Sequence, residues 1–180
     1  GGRTASIILN EVTGASDSEL KGLMEVFGDK ANVIIANPNG ITCNGCGFIN
    51  TQRGTLTTGT PDVSQGKLRF DIDGGLIRFE EEGHSYRSFI DEIDVLSQYI
   101  DVNGDISTKD RLSLVAGRVR FDYSKSMAGG SLTEWVEPKA YDAAKGSERA
   151  LAVDGTIFGA MQSGQIDIMG TEQGLGVKAD

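Results

Sequence analysis

Residues 33–51 read V-I-I-A-N-P-N-G-I-T-C-N-G-C-G-F-I-N-T, followed at 55–59 by T-L-T-T-G. Four short β-type pieces are expected here: Val33–Ala36, Ile41–Cys43, Phe48–Thr51 and Thr55–Thr58. Turn clusters of only a few residues separate them. In Asn37-Pro38-Asn39-Gly40, Pro38 presets φ, Asn37 can bond its own backbone, and Asn39-Gly40 tolerates positive φ. Cys43-Asn44-Gly45-Cys46 is a second turn, followed by Gly47. Strands this short, with turns this frequent, suit a coil of stacked rungs better than long hairpins.

The rest of the chain extends the pattern. Leu68-Arg69-Phe70-Asp71-Ile72 alternates, and Gly74-Gly75 turns into Leu76-Ile77-Arg78-Phe79. Ile93, Val95, Ile100, Val102 and Ile106 continue it, Leu112, Leu114, Val119 and Phe121 supply another turn, and Leu151, Val153, Ile157, Ile166 and Ile168 resume it. Alternation points one side chain inward and the next outward, and the outward set is polar: Arg69, Asp71, Arg78, Glu80, Asp101 and Asn103. At about 20 residues per turn, seven to eight turns are expected. Tyr123–Ala150 breaks the pattern. It is long, polar and interrupted, and reads as an excursion from the coil, a hairpin returning Trp135, the only tryptophan, to its side. Ala140–Lys145 suits a turn of helix.

The quoted stretch resembles the secretion domain of two-partner-secretion exoproteins, the filamentous-haemagglutinin-like family of contact-dependent toxins, adhesins and haemolysins. The resemblance continues in Ser6–Thr13, in Glu25–Ala31, and near the end in Gly159-Ala160-Met161 and Gly170–Val177. It implies an all-β fold, a right-handed parallel β-helix with short extra-helical hairpin or loop excursions. It implies one unit over 1–180, with 123–150 as the excursion. The abrupt start at Gly1-Gly2-Arg3 reads as a fragment whose signal peptide and N-terminal cap lie upstream. Leu20, Leu23, Met24 and Phe27 fit a helix, while Leu20, Gly22, Met24 and Val26 fit a strand. The resemblance favours strand and turn.

Composition agrees. The 180 residues suffice for one sizeable core. The 25 glycines match frequent turns, and a 7% aromatic content matches a narrow interior of Val, Ile and Leu. A net charge of −9 argues against nucleic acid and anionic membrane surfaces as partners. No apolar run approaches the roughly 20 residues of a membrane helix.

Two cysteines and one histidine fall short of the four ligands of a structural zinc site. A redox C-x-x-C precedes a helix, whereas β-type Phe48-Ile49 follows this one. A disulfide across the turn, Cys43–Cys46, or two free thiols remain, and export favours the disulfide. A pair of small buried hydrophobes is the plainer alternative.

Other chemistry is weak. Asp101-Val102-Asn103-Gly104-Asp105 opens like a calcium loop, but Ile106 and Leu112 stand where that loop needs Gly and a carboxylate. Gly170–Gly176 precedes neither a Lys-Ser/Thr pair nor a helix, so a phosphate loop is not indicated. His84 lies in Glu80-Glu81-Glu82-Gly83-His84-Ser85, which reads as an acidic solvated turn, and no serine sits in a nucleophile elbow. The pairs Asp71/Asp73 and Asp91/Asp94 fit an acidic chain. No enzyme, metal or cofactor is expected. A polysaccharide-acting β-helix enzyme is the sharpest catalytic alternative.

The resemblance implies the N-terminal secretion domain of a large exported toxin or adhesin, with the corresponding domain of a secreted haemolysin or cytolysin as the alternative, secreted or at the surface of a Gram-negative bacterium after passing the periplasm. Its partner would be an outer-membrane transporter with periplasmic POTRA domains, and the downstream repeats of its own chain would fold upon it. It carries a secretion role to Asn37, Pro38, Asn39, Gly40 and Ile41, and more weakly to Asn10 and Thr13.

Overall fold

Alternating strands that bury one face can do so by stacking in register on their successors. The computed structural model describes residues 6–84, 90–140, 151–154, 161–170 and 175–178, and in it most strands do this. The longest sheet runs β1 (Ile7–Glu11), β4 (Ala31–Ala36), β7 (Thr51–Thr57), β11 (Glu92–Ser97), β13 (Arg111–Ala116) and β17 (Gln165–Gly170), all neighbours parallel. A second parallel sheet runs β2 (Ser18–Leu20), β5 (Ile41–Cys43), β10 (Leu76–Phe79), β12 (Tyr99–Val102), β16 (Leu151–Asp154) and β18 (Leu175–Lys178). A third side begins with β3 (Leu23–Glu25) on β6 (Gly47–Ile49) and continues as parallel bridges Cys46–His84 and Ser107–Gln162. This is a parallel β-helix.

Register decides the interior. Val33, Gly54, Ile93, Leu112 and Ile166 stack on one level of the long sheet, and Ile35, Leu56, Val95, Leu114 and Ile168 on the next inward one. The glycine in the first column is required. A Cβ on Gly54 would lie 2.7 Å from the Phe48 ring, which fills that place. The 20–27 stretch is strand and turn, with Gly22 at φ +143° between β2 and β3.

Six coils are formed among the described residues, fewer than the seven to eight expected, because two segments leave the coil. The alternation of 68–72 and of 119–121 was read as rungs. Instead β8 (Thr60–Ser64), β9 (Lys67–Ile72), β14 (Val119–Asp122) and β15 (Val136–Pro138) form an antiparallel sheet, in the order β15-β14-β9-β8. Period two reports a half-buried strand but not its partner. Between β14 and β15 lie two short helices, α1 (Tyr123–Met127) and α2 (Leu132–Trp135). Asp122 caps α1 by accepting from Lys125 N at 2.9 Å. Trp135 is buried, edge-on to Phe121 at 6.3 Å between ring centres, and its Nε1 donates to Gly129 O. Most of the proposed helix Ala140–Lys145 and part of the closing turns, Gly159-Ala160 and 171–174, lie outside the described residues.

The excursions lie over the outer face of the long sheet and create a second core. Ile34, Ala36, Leu96 and Val115 from the sheet meet Phe70, Ile72, Val119, Phe121, Tyr123, Leu132 and Trp135. Among the described residues no helix is long and apolar enough to cross a membrane.

Candidate functional site

β4 ends where Asn37 turns the chain from the long sheet toward β5. The chain turns here because Asn37 replaces lost strand bonds with its own side chain. Asn37 Oδ1 accepts from Asn39 N at 3.0 Å, closing a small ring over Pro38, and Gly40 N donates to Asn37 O at 3.1 Å. Asn37 Nδ2 donates to Ser16 O at 3.0 Å and to Ser18 Oγ at 2.8 Å in the coil before. Asn37 N donates to Thr57 O at 2.9 Å in the coil after. The buried Asn37 thus ties three coils together at their corner, its side chain joining the first two and its backbone N–H the third. Asn39 Nδ2 adds a bond to Gly14 O at 2.7 Å.

Gly40 sits at φ +120°, a conformation that favours glycine, and a Cβ there would lie a tight 3.1 Å from Leu76 O. Ile41 is buried in the coil interior. Pro38 and Asn39 are exposed. The five motif residues therefore divide: Asn37, Gly40 and Ile41 face the fold, Pro38 is exposed, and Asn39 is exposed while its Nδ2 donates to Gly14 O and Asn37 Oδ1. Asn10 lies exposed in β1, level with Ile35, and Thr13 is exposed beyond it. Neither takes part in the corner's bonds among the described residues.

Cys43 and Cys46 occupy the next corner, between β5 and β6. They are disulfide-bonded, with Cα atoms 5.3 Å apart, and both are buried. The turn between them is held from both sides: Asn44 N donates to Leu20 O at 3.0 Å, and Gly45 N to Gly83 O at 2.8 Å.

His84 corrects the reading of 80–85 as a solvated turn. It is 2% exposed, bridges to Cys46 and stacks on Phe48 at 5.8 Å. Among the described residues neither ring nitrogen has a partner. Burial pushes its pKa down to about 4. The acidic run misled because its carboxylates flank the corner while the imidazole completes the rung.

Sequence reading missed two sets of residues. At the corner stacked on Asn37, Thr58 Oγ1 donates to Gly74 O at 2.7 Å, and Ser97 Oγ donates to Gly75 O at 3.0 Å. These close the coil where the β8–β9 hairpin leaves it. Small hydroxyls at strand ends were the available signal.

The second set lies between sheet and excursion. Arg53, Glu92 and Arg111 stack in register on successive coils, with Asp94 in the neighbouring outward column. Arg53 Nε donates to Asp94 Oδ2 at 2.6 Å, and Thr55 Oγ1 donates to the same oxygen at 2.7 Å. Arg111 reaches Glu92 at 3.3 Å and Asp94 at 3.7 Å. Arg53 lies 4.3 Å from the Tyr123 ring centre and Arg111 lies 4.8 Å from that of Trp135. Arg53 Nη1 also donates to Ser126 Oγ at 2.8 Å. Burial is the largest single influence and works to lower the Arg53 pKa, but the charge and hydrogen bond of Asp94, together with Tyr123 and Glu92, outweigh it, and the value lies above its ordinary one. Burial likewise pushes the Tyr123 hydroxyl up to about 12.

Asp94 is thus committed to a buried ion pair. Asp71 pairs with Arg120 at 3.5 Å and Lys139 at 3.3 Å, and Asp73 pairs with Arg118. Among the described residues no group of three or more His, Cys, Asp or Glu is placed to hold a metal.

The sequence matches the model of the TPS secretion domain family over residues 2–180. It is 40% identical to a toxin CdiA of Yersinia pestis, covering 96% of this chain and 5% of that protein. It is 36% identical to filamentous hemagglutinin of Bordetella pertussis (98% and 5%) and 34% identical to a hemolysin of Proteus mirabilis (98% and 10%). The chain therefore spans a tenth or less of these relatives. The crystal structure of the filamentous hemagglutinin secretion domain superposes with a TM-score of 0.80 at 36% identity, covering 97% of this chain and 58% of that one.

Proposed function

This chain belongs to the TPS secretion domain family, and on that premise we propose that it carries a large exoprotein to an outer-membrane transporter. It engages the transporter's periplasmic POTRA domains and then serves as the template on which the downstream repeats of its own chain fold outside the cell. The observation that carries this reading is the strand order of the long sheet, β1-β4-β7-β11-β13-β17. Each coil pairs with the one that left the transporter before it, and the last coil offers its edge to the next. Stacking in chain order favours outward movement without another energy source.

Within this reading the Asn37–Ile41 corner has two parts. Asn37, Gly40 and Ile41 fix the second coil, and Pro38 and Asn39 are the portion a partner can touch. Asn37→Ala should lower stability by about 1–3 kcal/mol, because backbone groups at a buried corner lose their partner. Secretion and thermal unfolding are to be measured on Asn37→Ala, Gly40→Val and Asn39→Ala, with the partner transporter supplied. Wild-type export of all three removes the corner as a secretion determinant. Loss of export with a normal melt, confined to Asn39→Ala, marks contact with the transporter.

Relatives of toxin, adhesin and haemolysin type match over the same span, so the reading applies to the secretion step they share. No catalytic role is proposed for the domain.

A further inference from the structure

The outer face of the long sheet has two halves. The level of Ala36, Thr57, Leu96 and Val115 is apolar except for the Thr57 hydroxyl, which accepts from Gly59 N, and the β9 residues Phe70 and Ile72 belong to the same cluster. The levels of Arg53, Glu92 and Arg111 and of Thr55, Asp94 and Ser113 are polar, yet Arg53, Asp94 and Ser113 are buried. Their cover comes from the second excursion, Tyr123 over Arg53 and Trp135 over Arg111.

The contributors are far apart in sequence. Arg53 and Asp94 are separated by 41 residues, and Arg53 and Ser126 by 73. Placing an aromatic cover on Arg53 before β11 has stacked would strip water from a guanidinium that has no carboxylate, which is strongly unfavourable. Stacking β11 supplies Glu92 and Asp94, and stacking β13 supplies Arg111. Two cations then face two anions, and the face can be closed. The early β8–β9 hairpin meets no such barrier, because its Phe70 and Ile72 use the apolar half.

We propose that the Arg53–Asp94–Arg111 set is an assembly lock, which makes docking of the Tyr123–Val136 excursion conditional on the stacking of three successive coils. Until then the unpaired charges keep the growing face wet and hold off misplaced aromatic cover. The lock needs no transporter and operates equally in refolding from denaturant, so its failure leaves the proposed secretion role untouched.

Trp135, the sole tryptophan, reports docking directly. Far-UV circular dichroism reports the coil. In the purified 180-residue chain, Asp94→Asn should keep the β spectrum while acrylamide quenching of Trp135 rises several-fold and its emission shifts red. During wild-type refolding, Trp135 burial should lag the β signal, and in the apolar double variant Arg53→Met/Asp94→Leu that lag should vanish. A folded Asp94→Asn with Trp135 as protected as in wild type overturns the proposal. So does a wild-type chain in which Trp135 is buried with or before the β signal. Should Asp94→Asn not fold, the double variant decides: a surviving lag sinks the lock, and its loss supports it.

Discussion

The two cores of this molecule are built by different rules. Inside the coil, Ile35, Leu56, Val95 and Leu114 repeat one contact on each rung, and aliphatic residues at alternate positions suffice. Between the coil and the excursion layer each contact occurs once. Phe70 meets Tyr123 edge-on at 6.3 Å, Trp135 meets Phe121 and Arg111, and Arg53 meets Asp94. The first core is periodic, with Gly54 beneath Phe48 as a local exception, and the second is singular and holds buried charge. A stack of equivalent rungs needs only the right pattern, whereas a cover laid once on that stack needs specific partners to find its place.

The largest expected effect lies in the coil. Leu114→Ala opens a cavity in a fully buried column and should cost about 2–5 kcal/mol. Its far-UV and Trp135 melting curves should shift together, since the cover rests on the coil. Separate shifts would break the view that the coil is the foundation.

His84 sharpens the contrast, as a titratable group within the coil's own rungs. Its folded pKa, about 4, lies below the ordinary 6.5. The unfolded chain therefore binds the proton more tightly, and stability falls as pH drops from 6.5 toward 4. The full loss is about 3 kcal/mol. Urea unfolding across that range should show the slope, and His84→Leu should flatten it. An unchanged slope in the variant would assign the effect to other groups.

The corner disulfide should matter less. Cys43→Ser with Cys46→Ser should cost about 2 kcal/mol by the loop-entropy argument, because so short a loop limits the unfolded chain little. Mass spectrometry of exported, unreduced protein should find neither cysteine alkylatable. Two free thiols there would remove the disulfide from the secreted form.

Tyr123→Phe tests the singular core most gently. Its hydroxyl is buried and makes no well-aligned hydrogen bond among the described residues, although Asn32, whose buried Oδ1 is also unpaired, is near enough to act on its titration. Removing it should change stability by less than about 1 kcal/mol, with the ring still over Arg53. A larger loss would mean that the hydroxyl binds a group in solution.

Much of the coil was legible because its signals are local. The Asn37–Gly40 turn, the Cys43–Cys46 corner and the alternation of β11 and β13 each lie within a few residues. The sheet partner of 68–72 was not legible, since Leu68–Ile72 alternates like any rung. The burial of His84 was hidden by its acidic neighbours. The Arg53–Asp94 pair was visible only as two charges, because pairing them requires the register of β7 against β11.

What the sequence determined by itself was therefore the repeating unit: short strands, tight corners, an apolar interior, and a motif that carries the family. Only the tertiary structure decided which strands leave the coil, which charges meet beneath the cover, and which part of the Asn37–Ile41 motif remains open to solvent. The physical reason is range. Turns and alternation are fixed by neighbours in the chain, while an ion pair between residues 41 apart exists only once the coils between them have stacked.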